Sequence, residues 1–425
     1  MKINKTRAAA VVLMAMLFVQ VPLTHSAASK SHVNVYHILL LLMPVIYVPA
    51  LRYLKFNPAT AFIATMALTS AGAAAVYGGG MRSTLIVFVA AAYFLGVVFG
   101  RKLPDLDLRR IFVWILGCCI VFILLRDVVY AGQLGAVYAR SEGASGVLYM
   151  STGGRNIEAS LLALLSILLL GTRAYPIAAG IAFLTSAMML SRAGLVGAAV
   201  SIGIAAYRAR KTRSYYLYTF LGIAMIVLVG GLVLSSVVDI PVLDRFNLQA
   251  ETRLEHKNVG RLALWNSATQ ALEQNLFGYG VGNGVPLMEQ ISGLTFVENN
   301  VHDIYLQFLL EGGVQSLLLF LAMVGHILFR PAEGQQRNIK AFLLCYLMLA
   351  FIEFSGYEAY FWFFVGMFYA RNDMRVRLRE ESSKPRPVGA GLPATSFRPG
   401  VTGPVTSRET MSRAGPLLQE EAGHA

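Results

Sequence analysis

Apolar residues recur along this chain in blocks, not on one helical face. About 12 stretches are long enough, or nearly so, to cross a bilayer: 8–23, 35–51, 58–77, 83–100, 111–125, 159–171, 175–190, 193–207, 216–238, 316–329, 341–354 and 360–370. A bilayer core is crossed by roughly 20 apolar helical residues, with a working range of about 17–25. A surface helix of a soluble protein carries a polar stripe at period 3.6. Residues 217–238 are instead apolar nearly all round, broken only by hydroxyl side chains. The pattern predicts an all-α integral membrane protein of about 12 transmembrane helices.

Two connections are long, 126–158 and 239–313. The second carries Leu262, Trp265, Ala268, Thr269, Leu272 and Leu276, an apolar stripe at helical spacing. It predicts an amphipathic helix over 259–275, with Asn258 as N-cap, lying on or against the membrane domain. After Arg371 the chain turns rich in Pro, Gly, Ser and Arg, the composition of a disordered tail. The expected organisation is a membrane domain over 1–371 and a disordered cytoplasmic tail over 372–425.

Charge supports the same picture. The chain is 56% hydrophobic and 14% charged, against about 25% charged in soluble domains. The formal charge is +13, but the basic residues sit in short clusters between apolar runs, which argues against nucleic-acid binding. With the N-terminus inside, the inward connections up to Lys340 hold 17 Lys and Arg, and the short outward turns hold only Lys30, Arg82 and Arg192. The positive-inside bias therefore puts both termini in the cytoplasm and the long 239–313 loop outside. Lys2, Lys5 and Arg7 before the run 8–23, with Ser26-Ala27-Ala28 after it, fit a signal peptide or a first membrane helix; both leave Ser29 outside. Cys118, Cys119 and Cys345 lie in apolar spans without metal-ligand spacing and are expected to be small buried hydrophobes.

Few residues offer chemistry. His302 and Asp303 stand where the outside loop meets an apolar helix. An imidazole there suits a general base near neutral pH, with Asp303 or Glu298 to orient it, or it is an amphipathic interface residue. Arg261 opens the expected amphipathic helix, where a guanidinium adds to the anion affinity of free backbone N–H groups, or is a solvated surface arginine. Arg192, in the tight Ser191-Arg192-Ala193-Gly194 connection, faces a polar cavity or snorkels to headgroups. The alternating glycines of 277–284 lack the strand and Lys-Ser/Thr of a phosphate loop and predict a flexible turn. Asp105-Leu106-Asp107 resembles the metal-binding pair of soluble glycosyltransferases, but sits beside Arg109 and Arg110.

Taken in order, Ser191-Arg192-Ala193, Arg261 to Trp265, Gly280 to Asn283, and His302 to Gly313 with Glu311-Gly312 resemble the O-antigen ligase and O-antigen polymerase family. The resemblance covers roughly 159–354. Where that family usually has an amide or serine after the histidine, this chain has Asp303. The resemblance implies a GT-C-like membrane glycosyltransferase of the bacterial inner membrane, needing no cofactor or metal. Its donor is a glycan on undecaprenyl diphosphate at the periplasmic face. Its acceptor is a lipid A–core hydroxyl in a ligase, or a second lipid-linked glycan in a polymerase. Arg192 and Arg261 then hold the diphosphate and His302 activates the acceptor.

The rival classes are a polysaccharide or lipid transporter and a scaffold for polysaccharide assembly. A transporter calls for ionisable residues near the membrane midplane and usually an internal repeat. Glu353, close to a span end, is the nearest candidate. A scaffold leaves His302 and Arg192 without a role.

Overall fold

The structure, a computed structural model, describes residues 5–20, 22–25, 32–78, 81–104, 106–133, 137, 148–151, 154–189, 191–210, 261–296, 300–351 and 353–383. Among them are thirteen α-helices. The first eight are α1 (Lys5–Phe18), α2 (Val35–Ile46), α3 (Pro58–Tyr77), α4 (Leu85–Lys102), α5 (Leu108–Val129), α6 (Gly154–Leu168), α7 (Tyr175–Met188) and α8 (Arg192–Ala209). Five follow: α9 (Arg261–Gln274), α10 (Gly284–Ser292), α11 (Ile304–Phe329), α12 (Gln335–Leu349) and α13 (Ala359–Ser383). Helices occupy every expected apolar stretch except 216–238, which lies outside the described residues, as does Asn258. By length and composition, α3, α4 and α5 can each cross a membrane, as can the residues of α11 taken end to end. The last helix runs past Arg371 to Ser383.

Their outward faces are apolar. Val45, Leu68, Trp114, Val128 and Phe329 are all exposed, Trp114 by 73%. Water would not tolerate so much contiguous apolar surface, and lipid does. Cys118 belongs to this outward surface of α5, contrary to the expectation of burial, while Cys119 and Cys345 are buried.

Inside the bundle, helices associate through small residues, because lipid tails leave no hydrophobic force to drive them together and close backbone packing takes its place. A Cβ on Gly96 of α4 would lie 2.0 Å from the Phe363 carbonyl of α13, and one on Gly366 would lie 2.2 Å from the Tyr93 carbonyl. Gly194 and Gly197 of α8 approach Ala159 and Ala163 of α6 in the same way. Ser166 and Ser201 hydrogen-bond across that contact at 2.7 Å. Phe62 of α3 meets Phe308 and Phe320 of α11 and stacks on Trp362 of α13.

The N-terminal helix is part of this core. Leu13, Met14 and Phe18 are buried, and Phe18 packs on Phe112 and Tyr360. Beyond α1 the chain forms a two-stranded antiparallel ribbon, β1 (Pro22–His25) and β2 (His32–Asn34), that the apolar pattern did not announce. A connection leaving the bundle must pair its backbone groups somewhere, and here it pairs them with itself.

One helix departs from the expected span in an informative way. The expected start was Ser316, yet helix α11 begins at Ile304 and is broken at Gly313, where φ is 75° and ψ 179°. In a straight helix Phe308 and Phe320 would be about 18 Å apart along the axis. Their rings are 4.8 Å apart. The half 304–312 therefore folds back on the half 314–329, which alone continues through the bundle. Broken helices of this kind are tolerated at membrane depth where protein satisfies the freed backbone groups.

Candidate functional site

The break is built by the glycine-rich turn of 277–284. Gly278, Gly280 and Gly282 all have positive φ, between 81° and 95°, a region in which L side chains are strained. The turn docks onto the break. Tyr279 N–H donates to the Leu310 carbonyl (3.0 Å), Gly280 N–H to the Glu311 carbonyl (2.8 Å), and Val314 N–H to the Leu276 carbonyl (3.0 Å). Val281 N–H donates to Ser70 Oγ of α3 (3.0 Å), and Gly282 N–H to Glu311 Oε1 (2.9 Å). The turn expected to be flexible is thus strapped to α3 and α11, and its N–H groups are spent on protein acceptors instead of an anion cradle.

Two carboxylates, Glu311 buried and Glu358 half-buried, organise this end of the bundle. Glu311, 3% exposed, also accepts from the Tyr357 hydroxyl. Glu358 accepts from Ser355 N–H and Oγ, both 2.9 Å, from Gly356 N–H at 2.9 Å, and from the Tyr346 hydroxyl. The connection between α12 and α13 is thereby fixed against the folded-back half of α11. A Cβ on Gly356, where φ is 89°, would run into Phe308 and Ile304. Neither role was foreseen. The available signal was a carboxylate placed among aromatic residues and glycines, which costs too much unless its oxygens are filled.

His302 sits at the entry to the folded-back half. It is the one non-glycine residue with positive φ among the described residues, at 55°. Such a conformation costs on the order of 1 kcal/mol and persists only where the surroundings over-determine it. Here they do. Val301 N–H donates to Gln307 Oε1 (2.8 Å), His302 N–H to Asn300 Oδ1 (2.9 Å), and Ile304 N–H to the Ala350 carbonyl (3.0 Å). The imidazole is half-buried, with Nδ1 3.5 Å from the Glu353 carbonyl oxygen. A proton on Nδ1 facing that carbonyl leaves the basic lone pair on Nε2.

Asp303 caps the helix. Its Oδ1 accepts from Tyr305 N–H (2.8 Å) and Leu306 N–H (3.0 Å). Burial pushes its carboxyl up, and the two N–H donors pull it down. An N-cap accepts Asp, Asn or Ser alike, so the departure from the usual residue after the histidine keeps the capping function. Glu298 lies outside the described residues.

Arg261 is the first residue of α9, and only its backbone is described. One turn on, Trp265 Nε1 donates to the Val301 carbonyl at 2.9 Å, so the Arg-x-x-x-Trp spacing ties the start of α9 to the residue before His302. The buried face of α9 is Leu264, Ala268, Ala271 and Leu272, packed against Val285 and Met288 of α10 and Leu310 of α11. Thr269 and Leu276, assigned to the apolar stripe, are exposed. The helix therefore lies against protein, with its seam rotated toward Leu264 by the neighbours it meets.

Arg192 is the first residue of α8, half-buried, behind the buried N-cap Ser191, whose Oγ accepts from Gly194 N–H at 3.2 Å. Gly197 meets Leu349, and Arg208 bonds Asn338 (2.6 Å), the same eleven-residue offset on both helices. Helices α8 and α12 are therefore antiparallel and in register. Continued in that register, Arg192 comes level with the segment after α12, which carries Glu353. Arg192, the start of α9 and His302 thus share one end of the bundle.

A further ion pair at this end escaped the sequence. Arg126 Nη1 and Glu158 Oε1 are 2.5 Å apart, with side chains 1% and 0% exposed, and Glu158 Oε2 accepts from Met150 N–H (2.6 Å). Glu158 adjoins Ala159, which touches Gly194. Opposite charges at the two ends of the 126–158 connection were the signal.

Of the acidic pair singled out above, only Asp107 is among the described residues. Asp107 N-caps α5 by accepting from Arg110 N–H (3.4 Å), and Asp105 lies outside the described residues. Among the described residues, no three His, Cys, Asp or Glu side chains are grouped to hold a metal ion.

Residues 158–321 match the family profile of O-antigen ligase. This segment belongs to the O-antigen ligase family. It begins at the buried Glu158 and takes in Arg192, α9, the glycine turn, His302 and the broken helix. No curated protein matches the chain significantly. The chain is an integral membrane protein with an O-antigen ligase-type domain.

Proposed function

We propose that the protein is a metal-independent O-antigen ligase of the bacterial inner membrane, with the His302 end of the bundle facing the periplasm. It moves a glycan from undecaprenyl diphosphate to a lipid A–core hydroxyl. The observation that carries this is the convergence of separate segments on one end. The pinned backbone of His302, the start of α9 docked through Trp265, and, by the register of α8 on α12, the first turn of α8 lie at that end.

The chemistry follows from residue type. His302 Nε2 takes the proton of the acceptor hydroxyl as its oxygen attacks the anomeric carbon. The bond from that carbon to the diphosphate oxygen breaks, and the electron pair leaves with the diphosphate. A single displacement inverts the anomeric configuration. Arg192 and Arg261 neutralise the charge growing on the leaving group, which supplies most of the rate gain. No metal is needed in this scheme, so transfer by purified protein should survive chelation by EDTA.

The test of ligase against polymerase is the glycan made by a deletion strain. Long lipid-linked chains that never reach the core support the ligase. Core carrying single repeat units overturns it in favour of polymerisation.

A further inference from the structure

A groove of about 460 Å³ lies between α8 and α12, at the end of the bundle away from His302. Its floor is apolar, with Ile204 from α8 and Ala341 and Leu344 from α12. Its rim holds Arg208, Arg337 and Lys340. Along α12 it extends from Arg337 to Met348, about 16 Å at 1.5 Å per residue. That is close to half of a hydrocarbon core roughly 30 Å thick. The groove therefore has the depth of one leaflet, with its cations at headgroup level.

The cations meet neutral acceptors. Arg208 bonds Asn338 Oδ1 (2.6 Å) and the Arg337 carbonyl (3.4 Å). Arg337 bonds the Ala332 carbonyl (3.0 Å), and Lys340 bonds the carbonyls of Leu328 (2.6 Å) and Arg330 (2.9 Å). Of the carboxylates, Asp107 is engaged with Arg110, Asp373 with Lys55 and Arg101, and Glu333, next to the lining residue Ala332, is exposed. Among the described residues none pairs with the three rim cations, and Arg109 adds a further like charge around Arg208. Crowded like charge above an apolar trough calls for an anion that carries its own hydrocarbon.

We propose that this groove is a binding site for one anionic glycerophospholipid of the leaflet at that end. The phosphodiester sits among Arg208, Arg337 and Lys340, and an acyl chain lies along Ile204, Ala341 and Leu344. Basic pockets between membrane helices recognise anionic headgroups in this way. The site rests on the membrane architecture alone and is independent of the transfer chemistry proposed above.

The experiment is native mass spectrometry of the full chain in detergent, with phosphatidylglycerol and phosphatidylcholine of identical acyl chains at equal mole fraction. One phosphatidylglycerol should be retained in preference. Arg337→Gln should cut that preference about fivefold, and Arg208→Gln with Arg337→Gln and Lys340→Gln by on the order of a hundredfold. Because Arg208 and Lys340 also tie helices together, Ala341→Trp provides a second route: it fills the trough, keeps every charge and should expel the lipid. Equal retention of the two lipids, an unchanged preference in Arg337→Gln, or an unchanged lipid in Ala341→Trp would overturn the proposal. So would displacement of the lipid by millimolar inorganic phosphate, since the hydrocarbon would then contribute nothing.

Discussion

The Glu311 carboxylate accepts a hydrogen bond from the Gly282 backbone N–H at 2.9 Å, and so joins the glycine turn to the broken helix. The same carboxylate takes the Tyr357 hydroxyl from the connection between α12 and α13. Three segments distant in sequence are thus held by one buried side chain. Removing it strands two part-buried donors. Glu311→Ala is expected to lose on the order of 3 kcal/mol, and Glu311→Gln, which keeps an acceptor oxygen, less. Thermal unfolding in detergent followed by tryptophan fluorescence checks this; an unchanged midpoint in Glu311→Ala would show that the turn is held by other means.

Two glycines should respond in opposite directions. Gly280 has φ of 81°, and a Cβ there would lie 2.6 Å from Ala73 Cβ. Gly203 lies inside α8 with nothing within 4 Å of its Cβ position. Gly280→Ala is expected to destabilise the protein and to abolish transfer. Gly203→Ala is expected to stabilise it by about 0.5–1 kcal/mol, the usual gain of alanine over glycine in a helix. Comparable melting of both variants would contradict the account of the turn.

Orientation follows from charge and is open to labelling. Gln274, at the end of α9 and exposed, should be periplasmic, and Ser382, at the end of α13, cytoplasmic. In intact spheroplasts an impermeant thiol reagent should modify Gln274→Cys and spare Ser382→Cys, each in a background lacking the native cysteines. The reverse pattern would invert the bundle and place the His302 end in the cytoplasm.

Much of the architecture was legible because a bilayer imposes length and polarity on every crossing. The apolar blocks located α1 to α8 and α11 to α13, the stripe in the long loop located α9, and the tight Ser191–Gly194 turn was visible in the sequence, while α10 went unannounced. What the blocks did not carry was the fold-back of α11, because the φ of 75° and ψ of 179° at Gly313 are set by the turn docked upon it and leave no mark in the sequence. The buried face of α9 was half legible: Ala268 and Leu272 were found, while Leu264 and Ala271 depended on where α10 lies. Asp303 looked like a partner for His302 because the two are adjacent. Its capping role emerges only once the helix is seen to start at Ile304. The Arg126–Glu158 pair joins residues 32 apart in sequence, whose proximity arises only in three dimensions.

The central claim is that His302 activates the acceptor while Arg192 and Arg261 hold the donor. It is tested by measuring donor binding and transfer separately, on purified full-length protein in lipid with insertion verified for each variant. In His302→Ala, donor binding should be nearly intact and transfer should fall by roughly 10²–10⁴, the usual loss on removing a general base. His302→Gln should not rescue it, since an amide cannot take up the proton. Arg192→Ala and Arg261→Ala should fail in donor binding, in transfer or in both, and excess acceptor should not compensate. Full transfer by a correctly inserted His302→Ala protein would remove the base from the mechanism.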